Sequence, residues 1–253
     1  MTAPAFVINA RLDPERLQPI FRRTRRLHLP DVFAPEQAIS LYSAVRDRTP
    51  WRRSFLLGDR GVAMSPDELA AIPEDKREAL ERDLTKTARN GFQYAFDSWA
   101  VSDEVEAGRR IGHPAEAFYD FLNSPAFLGW VHRLTGDTRA VYCDAQCTRY
   151  GPGDYLNGHT DEAEGKNRLF AYVMNLTPDW NADWGGLLLF IDPDGHVAEG
   201  YTPAFNALNI FEVPQPHAVS MVPPFAGGSR LAITGWIRSG RDDPPEAAGT
   251  KAA

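Results

Sequence analysis

The stretch Tyr150-Gly-Pro-Gly-Asp-Tyr-Leu-Asn-Gly-His159-Thr-Asp161 decides how this chain is read. His159 and Asp161 stand two positions apart, so a β-strand would direct both side chains to one face. Far along the chain His217 opens a short apolar run, Ala218-Val219-Ser220-Met221-Val222. Two imidazoles and one carboxylate cover one face of an octahedral ion and leave its other positions open. That donor set is the one expected of non-haem iron(II) oxygenases. A His-x-Asp pair carries little weight alone, because a histidine near a strand end is more often a hydrogen-bonded surface residue. Here the pair follows a Gly-Pro-Gly turn and precedes a polar loop, so both histidines are expected at strand mouths, where function concentrates.

The other four histidines offer no competing cluster. His28 alternates with Leu27 and Leu29 in an expected strand without an acidic companion. His113 precedes Pro114 at a helix start, His132 lies off the stripe of Phe127, Val131 and Leu134, and both are expected in solvent. His196 closes the turn Asp192-Pro-Asp-Gly195 and is expected at a hairpin tip. Arg230, in Gly227-Gly-Ser-Arg230-Leu-Ala-Ile-Thr-Gly-Trp236, is placed differently. A guanidinium fixed on a strand forms a bidentate, charge-assisted pair with a planar carboxylate. In an oxygenase that carboxylate would be the far end of 2-oxoglutarate, whose keto-acid end chelates iron.

Together with Asn175-Leu-Thr-Pro-Asp-Trp180 and Trp184-Gly-Gly-Leu-Leu-Leu-Phe190, these residues resemble the prolyl 4-hydroxylase-like branch of the iron(II) and 2-oxoglutarate dioxygenases, over about residues 140–238. Asn206 and Phe211-Glu-Val-Pro-Gln-Pro-His217 further resemble the subgroup containing ribosomal and elongation-factor prolyl hydroxylases. The resemblance implies an α+β chain with a double-stranded β-helix, or jelly-roll, core and supporting helices packed on one face. It implies that His159, Asp161 and His217 hold Fe(II), that Arg230 anchors 2-oxoglutarate, and that Tyr150 and Leu188 line the co-substrate. Arg168 and Trp236 match positions bordering the substrate. The resemblance further implies O2 as second co-substrate and ascorbate as a reductant. Asn175 stands where many relatives carry tyrosine, and Ala232 offers no hydroxyl near the anchor.

The activity implied is hydroxylation of a prolyl residue in a protein or peptide, coupled to decarboxylation of 2-oxoglutarate to succinate and CO2. A free amino acid or other small molecule is the alternative substrate, and a jelly-roll sensor that holds metal without turnover is the alternative class. Asp161 disfavours halogenation, because a halide would need its coordination position. No His-Glu-x-x-His spacing supports a zinc hydrolase.

The 253 residues are 43% hydrophobic, enough to bury roughly three quarters of the unfolded surface in one unit. A single catalytic domain is expected over 1–240, with a mixed helix and strand support region at 1–138 and the jelly-roll core at 139–240. The polar run 241–253 is expected to be a disordered tail. No run of about eighteen apolar residues and no basic-then-apolar leader is present, so neither a membrane span nor a signal peptide is expected, and the cytoplasm is the default. The net charge of -7 argues against a nucleic-acid partner. The cluster Arg22, Arg23, Arg25 and Arg26 reads as solvated surface near a strand start, with a docking patch for an acidic partner as the alternative. Cys143 and Cys147, four steps apart in one expected strand, would be separated by about 13 Å, beyond disulfide reach.

Within the first half, Ala38, Leu41, Tyr42 and Val45 form a helical stripe opened by Pro35 and stopped at Thr49-Pro50. Ser65-Pro66-Asp67-Glu68 carries a capping box, with a charged helix or lid over Glu74 to Lys86 after it. Phe92, Tyr94 and Phe96 alternate as in a half-buried strand and are expected chiefly in core packing, with the lining of a substrate groove as the alternative. Two helices are expected after His113-Pro114 and from Ser124-Pro125 to Gly136.

Overall fold

Helix signals written into the first half set its elements in the structure, a computed structural model that describes residues 6–241. Asp13 accepts from the Glu15 amide and Pro14 pre-sets the first turn, so α1 spans Pro14–Thr24. The sequence reading does not anticipate this helix, which carries Arg22 and Arg23 before β1 (Arg26–Leu29). The stripe opened by Pro35 becomes α2 (Pro35–Arg48). A hairpin of β2 (Arg52–Leu57) and β3 (Arg60–Met64) follows, then α3 (Pro66–Ala70), whose Ser65–Glu68 capping box forms in both directions. The charged segment is α4 (Glu74–Asn90), a solvated helix with no buried residue. After β4 (Tyr94–Trp99) come α5 (Val101–Glu106), α6 (Pro114–Leu122) and α7 (Pro125–Thr135), the last ended by Gly136 at φ 77°.

From Tyr142 onward the regular elements are strands, apart from one short turn of helix at Ala182–Trp184. They are β5 (Tyr142–Cys143), β6 (Gln146–Tyr150), β7 (Tyr155–His159), β8 (Arg168–Asn175), β9 (Leu188–Ile191), β10 (Val197–Tyr201), β11 (Ala207–Glu212), β12 (His217–Val219) and β13 (Arg230–Arg238). Every described ladder is antiparallel, in the order β1-β11-β8-β13-β6-β4-β7-β12-β9-β10. β4 pairs with both β6 and β7, so it joins the long run of strands to the short run that carries His159 and His217. The result is the jelly-roll sandwich, closed enough to enclose a cavity.

Strand periodicity divides the core in two. Along β8 and β13, Phe170, Tyr172, Met174, Leu231, Ile233 and Ile237 point to a helix-backed layer formed with α2, α6 and α7. Ala171, Val173 and Ala232 point the other way, towards Leu188, Phe190 and Phe211 inside the sandwich. Both faces of β8 are therefore covered, and its last six residues are all buried. Each fully buried large apolar side chain here contributes about 1.5–3 kcal/mol.

Three expectations need correction. Residues 140–150 are not one strand: Asp144 and Ala145 interrupt it, because Asp144 turns inward beneath Gly235, where any Cβ would collide with the Asp144 carbonyl. Cys143 and Cys147 are both buried and free. His113 is not in solvent but buried, capping α6 through Nδ1 and meeting the Ala44 carbonyl at 3.0 Å through Nε2. His132 likewise meets the Ala140 carbonyl at 2.6 Å, so its place off the apolar stripe serves a hydrogen bond. The expected tail lies, beyond Arg241, outside the described residues.

Candidate active site

His159 ends β7 and His217 opens β12, and the two are direct partners across that ladder. Their rings stand 4.1 Å apart. Asp161 is not in the strand, as its spacing had suggested. The strand stops at His159, and Asp161 turns back with φ of 64°, a left-handed geometry that aspartate tolerates better than most residues. This turn sets its carboxylate 3.3 Å from Nε2 of His159 and 3.4 Å from Nε2 of His217. One donor atom from each residue lies within 4.8 Å of the others.

Hydrogen bonding chooses the tautomer of both rings. Nδ1 of His159 lies 2.9 Å from the Asn157 carbonyl and Nδ1 of His217 lies 2.8 Å from the Gln215 carbonyl. A carbonyl oxygen only accepts, so each Nδ1 carries the proton and each Nε2 presents a lone pair. Two lone pairs and a carboxylate converging in a buried pocket repel one another unless a cation sits between them. The donor set therefore fits a divalent metal with open positions.

Arg230, only 2% exposed, lies in the same cavity. Its Nε and Nη1 have no partner among the described residues, and its guanidinium stands 5.1 Å from the ring of Tyr150. Burial lowers its pKa, yet a guanidinium does not lose its proton in proteins. A buried, uncompensated cation of this kind calls for an anion from outside the chain. Tyr150 stacks on Phe96 at 4.8 Å, and burial pushes its phenol up, so the hydroxyl remains a donor.

The cavity has a volume of about 780 Å³, and Leu188, Arg168 and Trp236 line it together with the groups above. Arg168 stacks over Trp236 at 3.5 Å and donates from Nη1 to the Asp161 carbonyl at 2.8 Å, bracing the turn that carries the carboxylate. Asn175 is buried with its amide donating to the Ala207 carbonyl at 3.1 Å, and Ala232 lies in the apolar cluster of the sandwich interior. The sequence reading held the aromatic part of the outer wall only as an alternative to core packing and did not place the β2–β3 hairpin in it. Phe92, Tyr94 and Phe96, expected chiefly in core packing, line the cavity, with Phe92 42% exposed and 5.5 Å from the His159 ring. Gly61, Val62 and Ala63 of the β2–β3 hairpin complete that wall. The alternating aromatics were the available signal. Nothing local distinguishes an aromatic facing a cavity from one facing the core.

Residues 145–238 match the 2OG-Fe(II) oxygenase superfamily. That stretch carries His159, Asp161, His217 and Arg230, and the jelly roll and the His-Asp-His set agree with the match. More particularly, the chain is 35% identical over 118 residues to the prolyl 3-hydroxylase OGFOD1 of Mus musculus, a match covering 44% of this chain and 21% of that protein. The matched stretch is thus about a fifth of that relative's length. In fold it is similar to a prolyl hydroxylase from Trichoplax adhaerens solved with a hypoxia-inducible-factor peptide fragment (TM-score 0.59, 18% identity, 90% of this chain and 91% of that one). It is also similar to a Pseudomonas putida prolyl-4-hydroxylase (TM-score 0.51, 17% identity, 97% and 99%). Among the described residues no helix is long and apolar enough to cross a membrane.

Proposed function

We propose that the chain hydroxylates a prolyl residue of a protein or peptide, with His159, Asp161 and His217 as iron ligands and Arg230 as the 2-oxoglutarate anchor. The single observation that carries this reading is one cavity holding both a convergent set of metal donors and a buried guanidinium without an acid. The prolyl substrate is favoured by the similarity to a prolyl 3-hydroxylase. Residues 139–240 supply the proposed ligands and the anchor, while Phe92 and the β2–β3 hairpin wall the same cavity, so both halves are proposed to form one catalytic unit.

Bound iron, with 2-oxoglutarate and O2, supplies the oxidising chemistry that couples decarboxylation to hydroxylation. The chain's own groups bind, orient and exclude water. Arg230 offers the fork of N–H donors that a carboxylate accepts, and Tyr150 adds a phenol that keeps its proton. The carbonyls of Asn157 and Gln215 orient the two imidazoles. Leu188, Trp236 and the aromatic wall keep the reacting carbon away from water, and a cavity of about 780 Å³, towards the upper end of ordinary ligand sites, leaves room beside a small dicarboxylate for the substrate side chain.

The test is succinate formation by protein loaded anaerobically with iron(II) and then given 2-oxoglutarate, O2, ascorbate and prolyl peptides. Succinate that needs His159 and Arg230, together with a one-oxygen mass gain on proline, is the expected result. Metal binding without substrate-stimulated succinate from folded, loaded protein would instead favour a sensor. Succinate stimulated by a free amino acid but by no peptide would move the substrate to a small molecule.

A further inference from the structure

Arg26, the last arginine of the basic cluster and the first residue of β1, makes contacts that the solvated reading does not contain. Arg26 is only partly exposed and reaches from the start of β1 to three groups. Its Nε donates to Glu199 at 2.5 Å on β10, its Nη1 to the Gln215 side-chain carbonyl at 3.2 Å, and its guanidinium lies 4.4 Å from the ring of Phe190. Gln215 is held a second time, its Nε2 donating to the Arg25 carbonyl at 2.8 Å. Arg25 in turn pairs with Glu212 at 2.6 Å, and the Glu212 amide donates to the Arg25 carbonyl at 2.9 Å.

Gln215 is also the residue whose backbone carbonyl receives the Nδ1 proton of His217. The segment from Glu212 to His217 contains two prolines, Pro214 and Pro216, which have no amide to contribute to a ladder. Side-chain tethers from β1 take that place. We propose that Arg26 is a positioning residue for the iron site: by pinning Gln215 it fixes the carbonyl that orients the His217 ring, without touching metal or substrate. Phe190 and Phe211 complete the arrangement, with Phe211 packed 4.7 Å from the His217 ring and 5.2 Å from Phe190. Partners that orient a ligating histidine typically change metal affinity about ten- to a hundredfold when removed.

This inference rests on the reading of His217 as a ligand, so the experiment separates the two. Cobalt(II) is titrated into the full chain, wild type and His217→Ala, Arg26→Ala, Arg26→Lys and Gln215→Ala, following cobalt's visible absorption and its Kd, with circular dichroism as the check on folding. The expected result is a cobalt Kd raised about tenfold or more and an altered band shape in Arg26→Ala and in Gln215→Ala, with their double mutant no worse than either alone. Arg26→Lys, which can keep Glu199 but has no fork to share with Gln215, is expected between wild type and Arg26→Ala. A wild-type spectrum and Kd in folded Arg26→Ala, or additive losses in the double mutant, overturn the positioning role while leaving His217 a ligand. Should Arg26→Ala not fold, Arg26→Lys and Gln215→Ala decide by the same measures. Cobalt binding that is indifferent to His217→Ala overturns the ligand reading and this inference with it.

Discussion

Arg230 and Arg238 occupy opposite ends of β13, roughly 26 Å apart along the strand, and both are buried. Arg238 faces Asp144, with which it forms a close ion pair. Arg230 faces a cavity and has no acid among the described residues. The same residue type, buried to a similar degree on the same strand, is thus compensated inside the protein at one end and left open at the other. A buried cation without a partner costs several kcal/mol, and a fold bears that cost where an outside ligand recovers it. The internal partner marks Arg238 as part of the scaffold, and the lack of one supports the proposed anchoring role of Arg230.

The largest effect that would break this comparison is on co-substrate binding. Arg230→Met, which keeps the apolar stem and removes the charge, is expected to weaken 2-oxoglutarate by about 4 kcal/mol, close to a thousandfold, in a direct titration of the metal-loaded protein. Its melting temperature without 2-oxoglutarate should equal or exceed wild type, since an uncompensated charge has gone. A large fall in stability would mean that Arg230 holds the fold after all. Next in size, Arg238→Met strands the Asp144 carboxylate and is expected to cost about 3 kcal/mol of unfolding free energy in urea melts. Little change there would erase the contrast between the two ends.

Ligand linkage sharpens the comparison further. At a hundredfold excess over Kd, 2-oxoglutarate should stabilise metal-loaded wild type and Arg238→Met each by about 2.7 kcal/mol, and leave Arg230→Met unmoved at that concentration. The smallest effect is in pH. Burial pushes the Asp144 carboxyl up, against the opposing pull of Arg238. Removing Arg238 raises it further, so in that variant the protonated form is the one the fold tolerates. Its stability is retained below the unfolded-state pKa of about 3.9 and lost as pH rises through the folded-state value. The Arg238→Met deficit should therefore be larger at pH 8 than at pH 5. Arg230→Met should show no such slope, because no carboxylate is left behind. Parallel urea melts at both pH values measure this.

Part of the site was legible in the sequence because it is local. His159 and Asp161 lie two residues apart, Arg230 sits in a glycine-bounded strand, and Ser65 with Glu68 spells out a helix start. The helix starts at Pro35, Pro66, Pro114 and Pro125 were equally readable, since capping and proline geometry act within one turn. Asp13-Pro14 carries the same signal for α1, but the arginines from Arg22 to Arg26 read as solvated surface and masked the helix that holds the first two of them. The burial of His113 and the partial burial of His132 were missed for a different reason. Each is held by a backbone carbonyl outside its own helix, Ala44 in one case and Ala140 in the other.

By itself the sequence determined which donors are present, two histidines and an aspartate with an arginine, and hence the kind of ion and anion the chain can hold, because donor chemistry belongs to the side chain. It also determined the alternation that sends Phe170, Tyr172 and Met174 one way and Ala171 and Val173 the other. Only the tertiary structure decided that Asp161 reaches the histidines from a left-handed turn rather than from a strand, since its backbone follows the loop that Arg168 braces. It alone decided that Phe92, Tyr94 and Phe96 wall a cavity, and that Arg26 and Gln215 stand behind His217. Those facts depend on ladders joining residues as far apart as β1 and β11. Such long-range closures are chosen by the packing of the whole core, and no short stretch of chain carries them.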